Sequence, residues 1–167
     1  ALAARLGAWG LTPAAVMGHS FGEVAAAYLA GALTLPEAMR VICARSRALA
    51  QRHGEGMMAV VELSPEAAQA ALDGWSGAVT VAGVNGPRSV ILSGDPDVLA
   101  DIVQTLQAQN VFARRLAVDV AAHSPQLDGL LPALEAQLAD LQPQTGALPF
   151  YSTVTGQLTD GAELDAA

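Results

Sequence analysis

Short apolar runs alternate with longer amphipathic stretches along this chain, and glycine or proline stands at most of the boundaries between them. A bounded apolar run is typical of a buried strand, whereas apolar positions three and four residues apart are typical of a helix. Gly31 is expected at the C-terminal end of one helix, and Pro36 is expected in the first turn of the next. The first third of the chain therefore predicts a helix that ends near residue 9, a strand at 14–17, and helices at 23–30 and 36–52.

A different pattern begins at residue 57, where the predicted elements become shorter and follow one another closely. Ser64 and Asp95 each precede a proline and are expected to cap the two helices of this region. The order β-α-β-β-α-β that results is the ferredoxin-like arrangement. Its strands are predicted at 57–63, 78–84, 89–93 and 111–118, and its helices at 65–74 and 96–109.

After residue 123 the pattern becomes helical again. Ser124 and Pro125 form a helix start signal, and Pro132 is expected to kink the helix or restart it. A last strand is predicted at 149–154, and the residues beyond it have no pattern. The helix carries a stripe of leucines at helical spacing: Leu127, Leu131, Leu134, Leu138 and Leu141.

The pentapeptide Gly18-His19-Ser20-Phe21-Gly22 lies between the first predicted strand and the helix after it. It has the form Gly-x-Ser-x-Gly of a nucleophile elbow, in which a tight turn exposes the serine hydroxyl to substrate. The start of a helix also favours the oxyanion that forms when a serine attacks a carbonyl. A glycine-rich loop in which Ser20 caps the helix would read the same way, so both interpretations remain open at this point.

Arg45 is the second candidate functional residue. On the helix at 36–52 it falls within an apolar stripe, whereas Arg40 and Arg47 fall on the opposite side. An arginine on a buried face needs a carboxylate partner or an anionic ligand, and its planar fork binds a carboxylate through two parallel hydrogen bonds. A structural ion pair, for example with Glu23, or a side chain that reaches out to solvent is the alternative.

A serine nucleophile needs a base, and the chain has three histidines. His19 is adjacent to Ser20 and would diverge from it on a sharp turn, while His53 lies in a glycine-containing break. His123 follows a strand-like run, where open α/β sheets carry catalytic groups, and is the best candidate. A histidine that only hydrogen-bonds a helix terminus is the alternative.

Composition narrows the class of protein. The hydrophobic content of 52% with 4% aromatic residues predicts an aliphatic core, and the formal charge of −8 argues against nucleic acid or an anionic membrane as partner. Cys43 is the only cysteine, so neither an intrachain disulfide nor a cysteine-based metal site is expected, and a reducing, cytoplasmic location fits. No apolar run approaches membrane-spanning length, and the helix-like start without Met is typical of a piece of a longer polypeptide.

With the elbow and Glu23, Arg45, and Ala122-His123-Ser124-Pro125 identified, the chain resembles a malonyl-CoA-type acyltransferase domain, in particular those of modular type I polyketide synthases. The likeness extends over essentially the whole chain. It implies an α/β fold, with a ferredoxin-like (βαββαβ) subdomain inserted into a doubly wound α/β-hydrolase-like subdomain, truncated at both ends. Residues 1–56 and 119–167 would then belong to the large subdomain and residues 57–118 to the inserted one.

The resemblance also implies a role for each candidate residue. Ser20 attacks the thioester of an extender-unit CoA, and His123 acts as base toward Ser20 and then as acid toward the leaving thiol. Arg45 pairs with the free carboxylate of the malonyl group, and the backbone N–H of Phe21 supplies one oxyanion-hole donor. The acceptor is the phosphopantetheine thiol of an acyl carrier protein, which shares the polypeptide with neighbouring synthase domains, and no cofactor is bound.

The sequence departs from the family's pattern in two respects. The family's selectivity tetrad reads Val120-Ala121-Ala122-His123 here, which matches neither the malonyl-selective nor the methylmalonyl-selective form. Ala122 opens space beside the acyl α-carbon and favours a branched unit such as methylmalonyl, whereas Phe21 stands where methylmalonyl-type domains commonly carry Gln. The family's upstream Gly-Gln-Gly-type loop and its downstream histidine-orienting segment are absent, so residues 1–167 alone are expected to be inactive.

Two other functions remain open. A serine esterase or thioesterase of the α/β-hydrolase type would need a triad carboxylate, for which Asp119 and Asp95 are candidates that are not well placed. A non-catalytic piece that docks a carrier protein would need none of Ser20, Arg45 and His123, and their joint presence argues against it.

Overall fold

The computed structural model describes residues 2–75 and 77–164. The chain divides into two compact units, which are described separately: the first contains Ala1–Ser46 and Pro132–Ala167, and the second contains Arg47–Leu131. The subdomain boundaries proposed from the sequence, 1–56, 57–118 and 119–167, stay a prediction. Among the described residues, no helix combines the length and the apolar character needed to cross a membrane.

Helices and strands are mixed along the chain, as the sequence predicts. Short 3-10 helices at Pro125–Leu130 and Gly161–Glu163 accompany them. In chain order the other elements are α1 (Leu2–Ala8), β1 (Val16–Gly18), α2 (Phe21–Ala30), α3 (Leu35–Ala50), β2 (Met57–Val61), α4 (Pro65–Ala71), β3 (Val79–Gly86), β4 (Ser89–Gly94), α5 (Pro96–Ala108), β5 (Ala113–Arg115), α6 (Leu131–Leu138), β6 (Phe150–Ser152) and β7 (Leu158–Thr159).

The first unit is built on a small sheet of order β1-β6-β7, in which β1 and β6 are parallel and β7 is antiparallel to β6. Helix α2 contributes three buried alanines, Ala26, Ala27 and Ala30, to a core that includes Phe150 of β6. Because alanine is small, the helix backbone can approach the sheet closely. The helix ends at Gly31, whose φ of 86° is left-handed, as the sequence predicts.

The second unit has the predicted order β-α-β-β-α-β. Its four strands are antiparallel in the order β3-β4-β2-β5, and α4 and α5 supply much of its core. Both helices are capped as predicted: Ser64 Oγ accepts a 3.2 Å hydrogen bond from the N–H of Ala67, and Asp95 Oδ1 accepts from the N–H groups of Asp97 and Val98.

The predicted strand at 111–118 is wrong in length. Strand β5 covers only Ala113–Arg115, and the N–H of Leu116 makes the last backbone hydrogen bond to β2, with the carbonyl of Met58. Beyond it the chain turns away, and the carbonyl of Asp119 accepts the N–H groups of Gly54 and Gly56 instead. These two long-range hydrogen bonds satisfy the Asp119 carbonyl outside the sheet, so the strand ends early.

The region after residue 123 follows the prediction in part. The helix is broken into a 3-10 helix and α6, which restarts one residue before Pro132, because proline has no N–H for a helix interior. Of the leucine stripe, only Leu138 is buried. The expectation of no pattern after residue 154 is wrong, since residues 158–163 contain β7, which pairs with β6, and a 3-10 helix.

Candidate active site

Ser20 stands at the junction of β1 and α2 in a backbone conformation that few non-glycine residues adopt. Its φ of 55° and ψ of −120° are strained for an L-residue. Two 2.9 Å backbone hydrogen bonds close the turn: the N–H of Gly22 donates to the carbonyl of His19, and the N–H of Glu23 donates to the carbonyl of Ser20. Ser20 occupies the N-cap position of α2, but its side chain makes no cap hydrogen bond, so the interpretation that the serine side chain caps the helix is wrong. The geometry is that of a nucleophile elbow.

Gly18 allows this turn because the backbone of Gly22 lies directly against it. A Cβ added to Gly18 would lie 2.0 Å from the carbonyl oxygen of Gly22, whereas one added to Gly22 would have no heavy atom within 4 Å. Only the first glycine of the motif is therefore required by a close approach of the backbone.

Glu23 holds the start of α2 against the end of β6. Its Oε1 accepts a 2.6 Å hydrogen bond from the N–H of Thr153 and lies 3.1 Å from the hydroxyl oxygens of Ser152 and Thr153. The Thr153 hydroxyl also lies 2.9 Å from the carbonyl oxygen of Gly18. This role is not visible in the sequence, because nothing near Glu23 indicates a partner 130 residues later.

Arg45 lies in the same unit as Ser20 and reaches it from α3. Its Nη2 donates a 3.1 Å hydrogen bond to Ser20 Oγ, and its guanidinium carbon lies 4.0 Å from the centroid of the Phe21 ring. Burial lowers the pKa of Arg45, because the charge loses contact with water. No ion pair among the described residues of this unit involves Arg45, and Glu23 is engaged with Thr153. The alternative of an ion pair with Glu23 is therefore wrong.

His123 lies in the second unit, so its pairing with Ser20 stays a prediction. Its side chain is exposed, and its φ of 59° is left-handed, which is uncommon for a residue with a Cβ. The buried hydroxyl of Ser124 donates a 2.7 Å hydrogen bond to the carbonyl of Ala121. A Cβ added to Gly56 would lie 1.9 Å from the nitrogen of Ala121. His123 is a candidate from the sequence alone, whereas the support that Ser124 and Gly56 give to its backbone is not visible there.

The two aspartates considered for an esterase triad both have other partners in the second unit. Asp119 Oδ2 lies 3.2 Å from His53 Nε2, and Asp95 caps α5. The tetrad residues before His123 also belong to this unit, with Ala121 buried and Val120 and Ala122 half-buried. Within residues 2–75 and 77–164, no cluster of three or more His, Cys, Asp or Glu side chains could hold a metal ion.

A sequence profile described as the acyl transferase domain matches residues 1–167. The chain belongs to the acyl transferase domain family. This acyltransferase chain is 45% identical over 166 residues to the spectinabilin polyketide synthase system protein NorA' of Streptomyces orinoci, covering 99% of this chain and 5% of that protein. It is 46% identical over 160 residues to the polyketide synthase GfsB of Streptomyces halstedii, covering 95% of this chain and 3% of that protein.

Solved structures of polyketide synthase acyltransferase domains share the fold of this acyltransferase chain. The acyltransferase domain from module 8 of the salinomycin polyketide synthase matches with a TM-score of 0.96 and 40% identity, over 99% of this chain and 39% of that chain. A loading acyltransferase from the avermectin modular polyketide synthase matches with a TM-score of 0.95 and 38% identity, over 99% and 53%. The acyltransferase chain therefore has a mixed α/β fold. It spans only a small part of the length of its curated relatives and about half or less of these two structures.

Proposed function

We propose that this chain carries the nucleophile and the carboxylate-binding residue of an extender-unit acyltransferase in a modular polyketide synthase. The reaction transfers a malonyl-type acyl group from CoA to the phosphopantetheine thiol of an acyl carrier protein. The observation that carries the proposal is the 3.1 Å hydrogen bond between Arg45 Nη2 and Ser20 Oγ. A cation with no carboxylate partner among the described residues of its unit lies beside a serine in a strained elbow, and an acyl group with a free carboxylate needs both.

The first half-reaction moves the acyl group to Ser20. Ser20 Oγ bonds to the thioester carbonyl carbon while His123 accepts the hydroxyl proton. The carbonyl oxygen becomes an oxyanion beside the backbone N–H of Phe21, where the start of α2 favours negative charge. When the C–S bond breaks, the CoA sulfur takes the proton from His123. The second half-reaction repeats these steps with the pantetheine thiol as nucleophile and Ser20 Oγ as leaving group.

Arg45 gives this chemistry its substrate class. The carboxylate of a malonyl-type group accepts hydrogen bonds from the N–H groups at the edge of the Arg45 guanidinium. It thereby serves as the carboxylate partner of this cation. Charge-assisted hydrogen bonds of this kind contribute about 1.5–3 kcal/mol each, which a plain fatty acyl group cannot supply. The site therefore favours dicarboxylic half-thioesters over neutral acyl thioesters.

The proposal extends to the architecture and partners. The strand order β3-β4-β2-β5 with helices α4 and α5 supports a ferredoxin-like subdomain at 57–118. The parallel β1–β6 pair with α2 supports a doubly wound, hydrolase-like subdomain for 1–56 and 119–167. The acyl carrier protein and neighbouring synthase domains are the partners. The absence of a bound cofactor and the inactivity of residues 1–167 alone stay predictions.

For the extender unit, we infer an α-branched group such as methylmalonyl, with malonyl as the alternative. Ala122, after Val120 and Ala121, leaves space beside the acyl α-carbon, whereas Phe21 does not match the branched-unit pattern. One methyl group is worth only about 1–3 kcal/mol in an apolar pocket, so a preference rather than an absolute choice is expected.

Mass spectrometry of the longest natural polypeptide that contains this sequence tests the proposal. An equal mixture of malonyl-CoA and methylmalonyl-CoA should add one acyl group to Ser20, with methylmalonyl in excess. Ser20→Ala and His123→Ala should abolish the adduct. Arg45→Ala should abolish loading from both CoA esters and spare turnover of a neutral ester, while Arg47→Ala should load like the parent. Ester hydrolysis without any acyl adduct from CoA would contradict the proposal and favour an esterase.

A further inference from the structure

The side chain of Phe21 contacts Arg45, a cation that donates a hydrogen bond to Ser20. The Arg45 guanidinium carbon lies 4.0 Å from the centroid of the Phe21 ring, and Phe21 is the residue after Ser20. We propose that the Phe21 ring is a positioning residue for Arg45, which holds the guanidinium in the plane that receives the carboxylate of the acyl group. This inference rests on the proposed function and adds a side-chain role to the backbone role proposed for Phe21.

The ring matters because Arg45 has little else to stabilise its charge. Arg45 is half-buried, and burial lowers its pKa. Among the residues of this unit that the structure describes, the ion pair joins Arg40 and Asp140, and the Glu23 carboxylate is bound to Thr153. A guanidinium over an aromatic face is attracted to the ring electrons, and more so when water is partly excluded. The ring therefore stabilises the charge of Arg45 before the carboxylate of a substrate binds.

The contact between Phe21 and Arg45 also limits which atoms of the guanidinium a substrate can contact. The guanidinium carbon lies over the ring, 4.0 Å from its centroid, and the N–H donors lie at the edge of the guanidinium plane. One of these donors, on Nη2, points to Ser20 Oγ at 3.1 Å. A carboxylate binds a guanidinium through parallel hydrogen bonds in that same plane. A fixed plane thus presents the fork to the carboxylate of an acyl group whose carbonyl carbon is at Ser20.

The position of the ring is set by the same turn that positions the nucleophile. Ser20 has φ 55° and ψ −120°, and Phe21 begins α2 directly after it. Gly18 packed on Gly22 and Glu23 bound to Thr153 fix this turn on both sides. The nucleophile and the support of the carboxylate-binding group therefore belong to one rigid local structure, which keeps their separation constant.

Substitutions of Phe21 that keep or remove the ring test the inference. In the longest natural polypeptide that contains this sequence, Ser20 acylation is measured with malonyl-CoA and with acetyl-CoA, which lacks the carboxylate. Phe21→Leu should raise KM for malonyl-CoA about fivefold with little change in kcat, the scale of one partly buried cation–π contact. Phe21→Tyr, which keeps the ring, should stay near the parent. Acylation by acetyl-CoA should change by a much smaller factor than acylation by malonyl-CoA in the Phe21→Leu protein.

Two matched controls separate positioning from general damage. Tyr28 lies on the same helix as Phe21 and is 41% exposed against 40% for Phe21, so Tyr28→Leu removes an equally exposed ring that is not stacked on Arg45. It should leave both substrates unaffected. In an Arg45→Lys background, which keeps a cation but has no planar fork for the ring to hold, Phe21→Leu should have a smaller effect on the KM for malonyl-CoA than in the parent.

The outcomes that would overturn the inference are specific. Phe21→Leu lowering malonyl-CoA and acetyl-CoA acylation equally would do so. So would Phe21→Tyr being as impaired as Phe21→Leu, or an undiminished Phe21→Leu effect in the Arg45→Lys background. If the parent is not acylated by any acyl-CoA, the proposed function fails instead. The stack is then judged by NMR, where the ring should shift the Arg45 Nε proton upfield relative to Phe21→Leu, and an unchanged resonance would overturn the inference.

Discussion

The Oε1 atom of Glu23 accepts a 2.6 Å hydrogen bond from the backbone N–H of Thr153. The two residues are 130 positions apart, and the bond joins the first turn of α2 to the end of β6. The hydroxyl oxygens of Ser152 and Thr153 lie 3.1 Å from the same carboxylate oxygen. The acid directly after the elbow therefore gives the strained turn a support from a distant part of the chain.

Removal of the Glu23 carboxylate should destabilise the first unit. A hydrogen bond to a charged acceptor contributes about 1.5–3 kcal/mol, so Glu23→Ala should lower the free energy of unfolding by about that amount. Glu23→Gln keeps an acceptor oxygen without the charge and should lose less. Urea unfolding measures both, with Glu135→Ala on the exposed side of α6 as the control. A Glu23→Ala protein as stable as Glu135→Ala would contradict the role assigned to Glu23.

The two glycines of the elbow should respond oppositely to the same substitution. Gly18→Ala would place its Cβ 2.0 Å from the carbonyl oxygen and 2.1 Å from the carbonyl carbon of Gly22, and backbone atoms cannot move aside cheaply. We expect a loss of at least about 3 kcal/mol in the free energy of unfolding. Gly22→Ala meets no heavy atom within 4 Å and lies in α2, where alanine is favoured by about 0.5–1 kcal/mol. Thermal unfolding of the pair gives the comparison, and equal stabilities would show that the close contact does not constrain the turn.

Local patterns in the sequence predicted the parts of the fold that depend on neighbouring residues. The elbow at Ser20, the C-terminal Gly31 and the caps Ser64 and Asp95 each need only a few adjacent positions, and the structure has all four. The face on which Arg45 lies also follows from helical spacing alone. These features could be predicted because their hydrogen bonds and steric limits are local.

The features that the sequence did not predict depend on contacts between distant residues. Strand β5 ends early because Asp119 accepts the N–H groups of Gly54 and Gly56, and β7 forms by pairing with β6. The stack of Phe21 on Arg45 joins two helices, and helical spacing gives no sign of it. Each of these contacts requires the tertiary fold to be known first.

The backbone around His123 should be sensitive to small changes at two supporting residues. Ser124→Ala removes a buried 2.7 Å hydrogen bond to Ala121 and should cost about 1 kcal/mol of stability, with a larger effect on Ser20 acylation if His123 is the base. Gly56→Ala should displace Ala121, since its Cβ would lie 1.9 Å from the nitrogen. The pH profile of acylation distinguishes the roles, because a displaced base changes the profile and a purely structural loss leaves its midpoint unchanged.

The control for these variants is Gly86→Ala, whose Cβ would have no heavy atom within 4 Å. It should leave stability within about 0.5 kcal/mol and acylation unchanged. Parent-like acylation and an unshifted pH profile in both Ser124→Ala and Gly56→Ala would contradict a positioning role of this segment.

Arg45 should stand out as a residue whose removal weakens function without weakening the fold. Burial lowers the pKa of Arg45, which means that the folded state disfavours its charged form relative to water. Arg45→Met keeps an apolar stem of similar length and removes the charge, so the free energy of unfolding should be unchanged or higher while loading from malonyl-CoA is lost. Arg47→Met, on the exposed side of α3, should change neither property. Arg45→Met could instead unfold at a clearly lower urea concentration than Arg47→Met. The 3.1 Å contact between Arg45 and Ser20 would then support the fold rather than form a binding site for an anionic substrate.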